Sequence, residues 1–109
     1  MNKFEAVLLF NPDVSNPIII KEEENFINNI ENSDGTIISK EDWGLKELSF
    51  SINNYKKAFY KFYQIEMNGS EIQNLKKILN QNEKILRHLF VKVEKHQELP
   101  TKMNDNEEK

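Results

Sequence analysis

Residues Glu41–Met67 read EDWGLKELSFSINNYKKAFYKFYQIEM, and their periodicity decides how the chain is built. Leu48, Phe50 and Ile52 alternate with Glu47, Ser49 and Ser51, which is the period of a strand with one apolar face. Ala58–Met67 is a second strand-forming run, dense in aromatic residues. The polar Asn53-Asn54 pair between them begins a turn, so the two runs are expected to form an antiparallel hairpin. Gly44 interrupts the first run and marks a bulge or a close backbone approach. The segment holds Trp43, three Tyr and three Phe beside Lys46, Lys56, Lys57 and Lys61. That is more aromatic surface than one core face needs.

The same reading extends upstream. Thr36–Ser39 is β-branched and follows Gly35, so it opens the first strand of the hairpin, with a weaker signal across Lys40–Asp42. Before it, Ile19, Glu23, Phe26, Ile27 and Ile30 lie at helical spacing. Asn16-Pro17 reads as an N-cap followed by proline at the first helical position, and Ser33-Asp34-Gly35 ends the helix near Asn32. Lys3–Phe10 (KFEAVLLF) is a largely buried strand closed by Asn11-Pro12-Asp13. Its Phe4, Ala6, Leu8 and Phe10 point one way, Val7 and Leu9 the other.

Downstream, Ser70-Glu71-Ile72-Gln73 has the form of a capping box, and Ile72, Leu75, Ile78 and Leu79 mark one face of a second helix. Ile85–Val93 (ILRHLFVKV) is a fourth strand. The order β-α-β-β-α-β predicts an α+β, ferredoxin-like fold, with a four-stranded antiparallel sheet and both helices on one face. Residues 1–95 form that one domain. Residues 96–109 are polar and expected to be a disordered tail. Both strand three and strand one carry large apolar groups on both faces, so the sheet face without helices is a candidate for a partner.

Composition narrows the function. The 109 residues contain no cysteine, which excludes disulfides, thiolate metal sites and cysteine nucleophiles. No run is long and apolar enough to span a membrane, and the start lacks the pattern of a signal peptide. The formal net charge is −3, but it is unevenly spread: −6 over residues 1–55, +5 over residues 56–95 and −2 beyond. Local positive charge, not the total, governs binding to a phosphate backbone. The second half therefore keeps RNA open as a partner.

Signs of catalysis are absent. His88 and His96 have no metal-ligand spacing, there is no phosphate-binding glycine motif, and Glu22-Glu23-Glu24 reads as a solvated face. An acylphosphatase-like enzyme would need an arginine-bearing anion loop after strand one, where this chain has acidic NPDVSN. No cofactor and no metal are expected. The cations near strand ends, Lys3, Lys56, Lys57, Arg87, His88 and Lys92, are the candidate RNA contacts.

Several of these stretches, taken together, resemble one family. FEAVLLFNPDVS (Phe4–Ser15) is similar to the opening of the bacterial small-subunit ribosomal protein S6 family. EDWGLKELSFSIN (Glu41–Asn53), KKAFYKFYQIEM and ILRHLFVKVE are similar to its later strands. The resemblance covers residues 3–95. It implies a ferredoxin-like, non-enzymatic protein of the cytoplasmic ribosome. Such a protein binds the central domain of 16S rRNA as a heterodimer with the small basic ribosomal protein S18. Arg87 would then be the strand-four arginine that contacts rRNA, and Lys56 and Lys57 would sit on the hairpin that approaches RNA or partner. Trp43, Gly44, Leu45, Lys46, Glu47, Leu48, Phe50, Tyr60 and Phe62 would form the partner surface. Ser51 replaces the family's proline and Asn54 its lysine, with Lys56 as the substitute charge. Glu47 stands where a basic or polar residue is common, which suits a basic partner. The competing reading is a ferredoxin-like regulatory or oligomerising module that binds a protein or small ligand and no RNA.

Overall fold

The computed structural model describes residues 1–97. Its elements are β1 (Asn2–Phe10), α1 (Asn16–Asn32), β2 (Thr36–Ile52), β3 (Tyr55–Met67), a 3-10 turn (Gly69–Glu71), α2 (Ile72–Asn80) and β4 (Ile85–Val93). The four strands form one antiparallel sheet in the order β2-β3-β1-β4. This is the ferredoxin-like arrangement expected from the element order.

The core lies between one sheet face and the two helices. Ile19, Phe26 and Ile30 of α1 and Ile72, Leu75 and Leu79 of α2 pack on Phe4, Ala6, Leu8, Phe10, Tyr63, Ile65, Met67 and Ile85. The alternation in β1 holds as read: the even-numbered residues enter this core, and Val7 and Leu9 face away from it. Phe26 meets Tyr63 with ring centroids 4.9 Å apart. The Tyr63 hydroxyl donates to Glu23 Oε2 at 2.7 Å. Glu23 also accepts from Lys40 Nζ at 3.0 Å, so a single carboxylate on α1 ties the helix to β2 and β3.

Two local expectations change, at the starts of the two helices. Helix α1 is capped by Ser15 rather than Asn16, with an extended backbone and no side-chain cap bond. Pro17 still falls in the first turn, where a missing N–H costs nothing. The capping box at Ser70 does not form. Ser70 is taken up in the 3-10 turn, and α2 begins at Ile72 without a side-chain cap. The left-handed residue after α1 is Asp34 (φ 61). Gly35 is required for closeness: a Cβ there would lie 2.8 Å from Ile30 Cγ2 and from Met67 Cβ.

Strand β2 runs without a break through Lys40–Asp42, at 17 residues, but its pairing with β3 slips three times. One slip falls at Asp42/Gly44, where Gly44 has φ 78. The largest lies between Glu47, paired with Lys57, and Ile52, paired with Tyr55. Four residues of β2, Leu48–Ser51, there oppose Lys56 alone. The excess chain has to leave the plane of the sheet. Asn53 (φ 50) and Asn54 (φ 71) then close the hairpin as a two-residue turn of left-handed residues, a conformation asparagine accepts. The expected third strand starts three residues earlier than Ala58, so Lys56 and Lys57 lie on β3 just beyond the tip.

Candidate nucleic-acid and partner interface

Paired residues of an antiparallel sheet share a face. The face turned away from the helices therefore carries Glu5, Val7 and Leu9 of β1, opposite Gln64, Phe62 and Tyr60 of β3 and Val91, Leu89 and Arg87 of β4. It has a polar end at Glu5 and an apolar end at Leu9.

The bulge at Gly44 brings Trp43 onto this face. The indole lies on Phe62, with centroids 5.2 Å apart and planes within 10°, and beside Tyr60 at 6.4 Å. Its Nε1–H donates to Glu41 Oε1 at 2.9 Å. Lys46 Nζ sits 5.7 Å from the Trp43 ring and 5.8 Å from Tyr60, close enough for cation–π attraction to both. The Gly44 N–H donates to Asp42 Oδ1, and Asp42 Oδ2 pairs with Lys61 Nζ at 3.0 Å. Half of the aromatic surplus in the hairpin is thus spent within the chain: Phe62 is 3% exposed and Trp43 9%.

What stays open is a groove of about 590 Å³ at the apolar end. Val7, Leu9, Tyr60 and Leu89 line it, and the excursion of β2 contributes Leu48 and Phe50. Phe50 is 85% exposed and Leu89 58%. Of the nine residues expected to form the partner surface, Leu45, Glu47 and Phe50 are exposed; Gly44, Lys46, Leu48 and Tyr60 are half-buried; Trp43 and Phe62 support the others from beneath. Leu89 was not singled out from the sequence. Its signal is the alternation Arg87, Leu89, Val91 against His88, Phe90, Lys92 in β4.

The six candidate RNA contacts do not form one patch. Arg87 is exposed on edge strand β4, at the same end of the sheet as Lys56 and Lys57. Lys3 and Lys92 are at the opposite end, where Lys3 pairs with Val93 and Lys92 with Phe4. His88 and Lys92 are on the helix side of the sheet. The His88 ring meets Asn80 Oδ1 through Nε2 at 2.9 Å. Burial, and then the charge of Lys76, hold its pKa below the usual histidine value, so it brings no positive charge at neutral pH. Lys40, Lys61 and Lys84 are paired with carboxylates. Among the described residues, Lys3, Lys56, Lys57, Arg87 and Lys92 have no such partner, and their charge is free for phosphate.

The polar end of the open face is held by the chain's own C-terminal segment, a contact the sequence did not announce. Gln97 donates from its backbone N–H to Glu5 Oε2 at 3.0 Å and from Nε2 to Glu5 Oε1 at 2.8 Å. Gln64 Nε2 donates to Glu5 Oε2 and to the Gln97 carbonyl. His96 Nδ1 lies 3.5 Å from Glu5. Burial works to raise the Glu5 pKa, but the bonds from Gln97, Gln64 and His96 together outweigh it and hold the carboxyl below its ordinary value. His96 and Gln97 are thus part of the packed structure. The rest of the expected tail, residues 98–109, lies outside the described residues.

Comparison with known proteins agrees with this architecture. The family model described as ribosomal protein S6 matches residues 3–92. The small ribosomal subunit protein bS6 of Rickettsia felis is 33% identical over 107 residues, which is 98% of this chain and 88% of the relative. That of Flavobacterium psychrophilum is 30% identical over 96 residues, 88% of this chain and 85% of the relative. The crystal structure of 30S ribosomal protein S6 from Thermotoga maritima superposes with a TM-score of 0.80 at 18% identity, covering 84% of this chain and 87% of that one, a likeness of fold. Family match, relatives and fold converge: the chain belongs to the ribosomal protein S6 family, structural and non-enzymatic proteins of the bacterial small ribosomal subunit.

Proposed function

We propose that this chain binds the central domain of 16S rRNA as a heterodimer with the small basic ribosomal protein S18. The observation that carries the reading is the meeting of two unlike surfaces at one end of the sheet. Arg87, unpaired and exposed, stands at the border of the apolar groove formed by Val7, Leu9, Tyr60, Leu89 and Phe50. The groove offers an anchor site for an apolar segment of a protein, and an exposed phenylalanine is an effective anchor of its own. The unpaired cations Arg87, Lys56 and Lys57 offer phosphate contacts beside it. The acidic first half, with Glu47 exposed on β2, complements a basic partner, which speeds encounter and fixes register. RNA and partner then reinforce each other, because each is held at the same end of the molecule.

The test is binding to a central-domain rRNA fragment across a salt series, with and without the basic partner. Partner-dependent binding that weakens steeply with salt is expected, the slope counting the phosphates neutralised. Arg87→Glu is expected to lose RNA affinity with an unchanged circular dichroism spectrum, since Arg87 makes no ion pair among the described residues. An unfolded Arg87→Glu would make it a folding residue. No RNA binding in either condition by a folded chain would sink the reading and favour the regulatory module.

A further inference from the structure

The chain does not leave the molecule at the end of β4. That strand ends at Val93, opposite Lys3. Four residues later Gln97 lies over Glu5 and Gln64, held by its backbone N–H, its side-chain amide and its carbonyl. The chain has therefore turned back over the open face. It has moved inward from the edge strand, and from the Lys3 row of the sheet to the Glu5 row. The next row in that direction is Val7 with Leu89, and the one after it Leu9 with Tyr60 and Arg87. Those two rows lead into the apolar groove. The docked end of the described chain thus points at the largest exposed apolar surface on the same face.

Twelve residues follow Gln97, 98–109. Extended, they reach about 40 Å. From Glu5 to Leu9 along β1 is about 13 Å, at roughly 3.3 Å per residue, so the segment is long enough to cross the groove. Its composition suits the surface ahead. Leu99 comes two residues after Gln97, and the proline that follows it favours extended backbone there. An extended continuation sets Leu99 over the Val7 row, beside Leu89, which is 58% exposed. Met103 is the second apolar residue, and Asp105, Glu107 and Glu108 follow it. No carboxylate lines the groove among the described residues, and Arg87 stands in its lining without an acidic partner. A short tether also gives the segment an effective concentration on the order of millimolar, which a second copy of the chain does not match in dilute solution. We propose that, in the chain without its partner, residues 98–109 dock along the open face, with Leu99 and Met103 over the apolar groove and the acidic end at Arg87. The docking is independent of the RNA reading. Its consequence, that the basic partner has to displace the segment, rests on the function proposed above.

The test uses the full-length chain in solution, without partner. Nuclear Overhauser effects are expected from the Leu99 methyls to those of Val7 and Leu89, because docking brings them into contact and tethering alone does not. Ile20 and Ile78, exposed on the helices at the other side of the sheet, serve as controls and should show none. Leu99 methyls without a contact to the sheet would overturn the docking. Contacts that appear only between differently isotope-labelled molecules in a mixed sample would give the groove to a second copy and overturn it as well. Leu99→Ser, a change outside the core, is expected to tighten association with the basic partner about two- to fivefold, since the fraction of chains with an open groove rises. Unchanged or weaker association would overturn the competition, weaker association making Leu99 a partner contact. Contacts of Leu99 with Leu89 that persist when the partner is bound would move the partner off the groove. That result would overturn the partner site proposed above and leave the docking in place.

Discussion

Tyr63 shows how much rests on single side chains here. It is fully buried, yet its hydroxyl donates to a carboxylate on α1. Burial and the Glu23 charge push its pKa far above the usual phenol range, so it stays a donor at any pH the protein meets. Tyr63→Phe is expected to cost about 2 kcal/mol of stability, the scale of a hydrogen bond to a charged group, readable in urea denaturation. A loss near zero would mean that Lys40 alone satisfies Glu23. Gly35→Ala is expected to cost about 1–3 kcal/mol, because the new methyl meets Ile30 and Met67 at a distance no real contact shows. Glu5 contributes a pH dependence whose sign follows from its bonds. Its folded pKa is lowered, so its contribution is fully present above the ordinary value of 4.5 and is lost as pH falls through the lower folded value. The Gln97 side-chain amide signal in NMR should shift on acidification with a midpoint below that of an ordinary glutamate, and Glu5→Gln should abolish that step. An amide signal that does not respond to acid would rule out Glu5 as the clasp.

Strand β2 is the element on which the proposed interface depends. Two devices shape it: the bulge at Gly44, which delivers Trp43 to Phe62 and Tyr60, and the four-residue excursion at Leu48–Ser51, which carries Phe50 away from the sheet. Gly44 has open space where a Cβ would stand, so only its positive φ opposes substitution. Gly44→Ala is therefore expected to cost about 1–2 kcal/mol in thermal or chemical unfolding, through the left-handed backbone alone. A neutral effect would mean that β2 re-registers on β3. The edge position of β4 has the complementary use, since it leaves Arg87 unpaired and reachable.

Across the whole molecule, stability and the proposed binding fall on different faces. The helix-covered face holds the core, while the opposite face holds Trp43 and Phe62 as a foundation and Phe50 and Leu89 as exposed surface. Phe50→Ala is expected to leave the unfolding midpoint unchanged and to weaken association with the basic partner by about 1–2 kcal/mol or more, as anchor residues do. Calorimetric titration reads this directly. Equal affinity for the variant would place the partner elsewhere on the molecule.

The element order, the faces of β1 and α1, the irregularity at Gly44 and the family were legible in the sequence, whereas Phe50, read on one apolar strand face, stands out on the excursion of β2, and Ile78, read on the α2 stripe, is exposed. What was legible follows from local periodicity, from turn chemistry and from short motifs, which do not need the rest of the chain to be known. The capping box at Ser70 was legible and did not form, because the 3-10 turn from Asn68 took the residue first. Which cations stand together was not legible. Lys3 and Arg87 belong to adjacent strands but to opposite ends, and only the antiparallel register of β1 with β4 separates them. The Glu5–Gln97 clasp joins residues 92 positions apart. Such sites depend on how elements are brought together in space. Sequence patterns set each element's face and length; packing and register alone decide which side chains from distant elements share a wall.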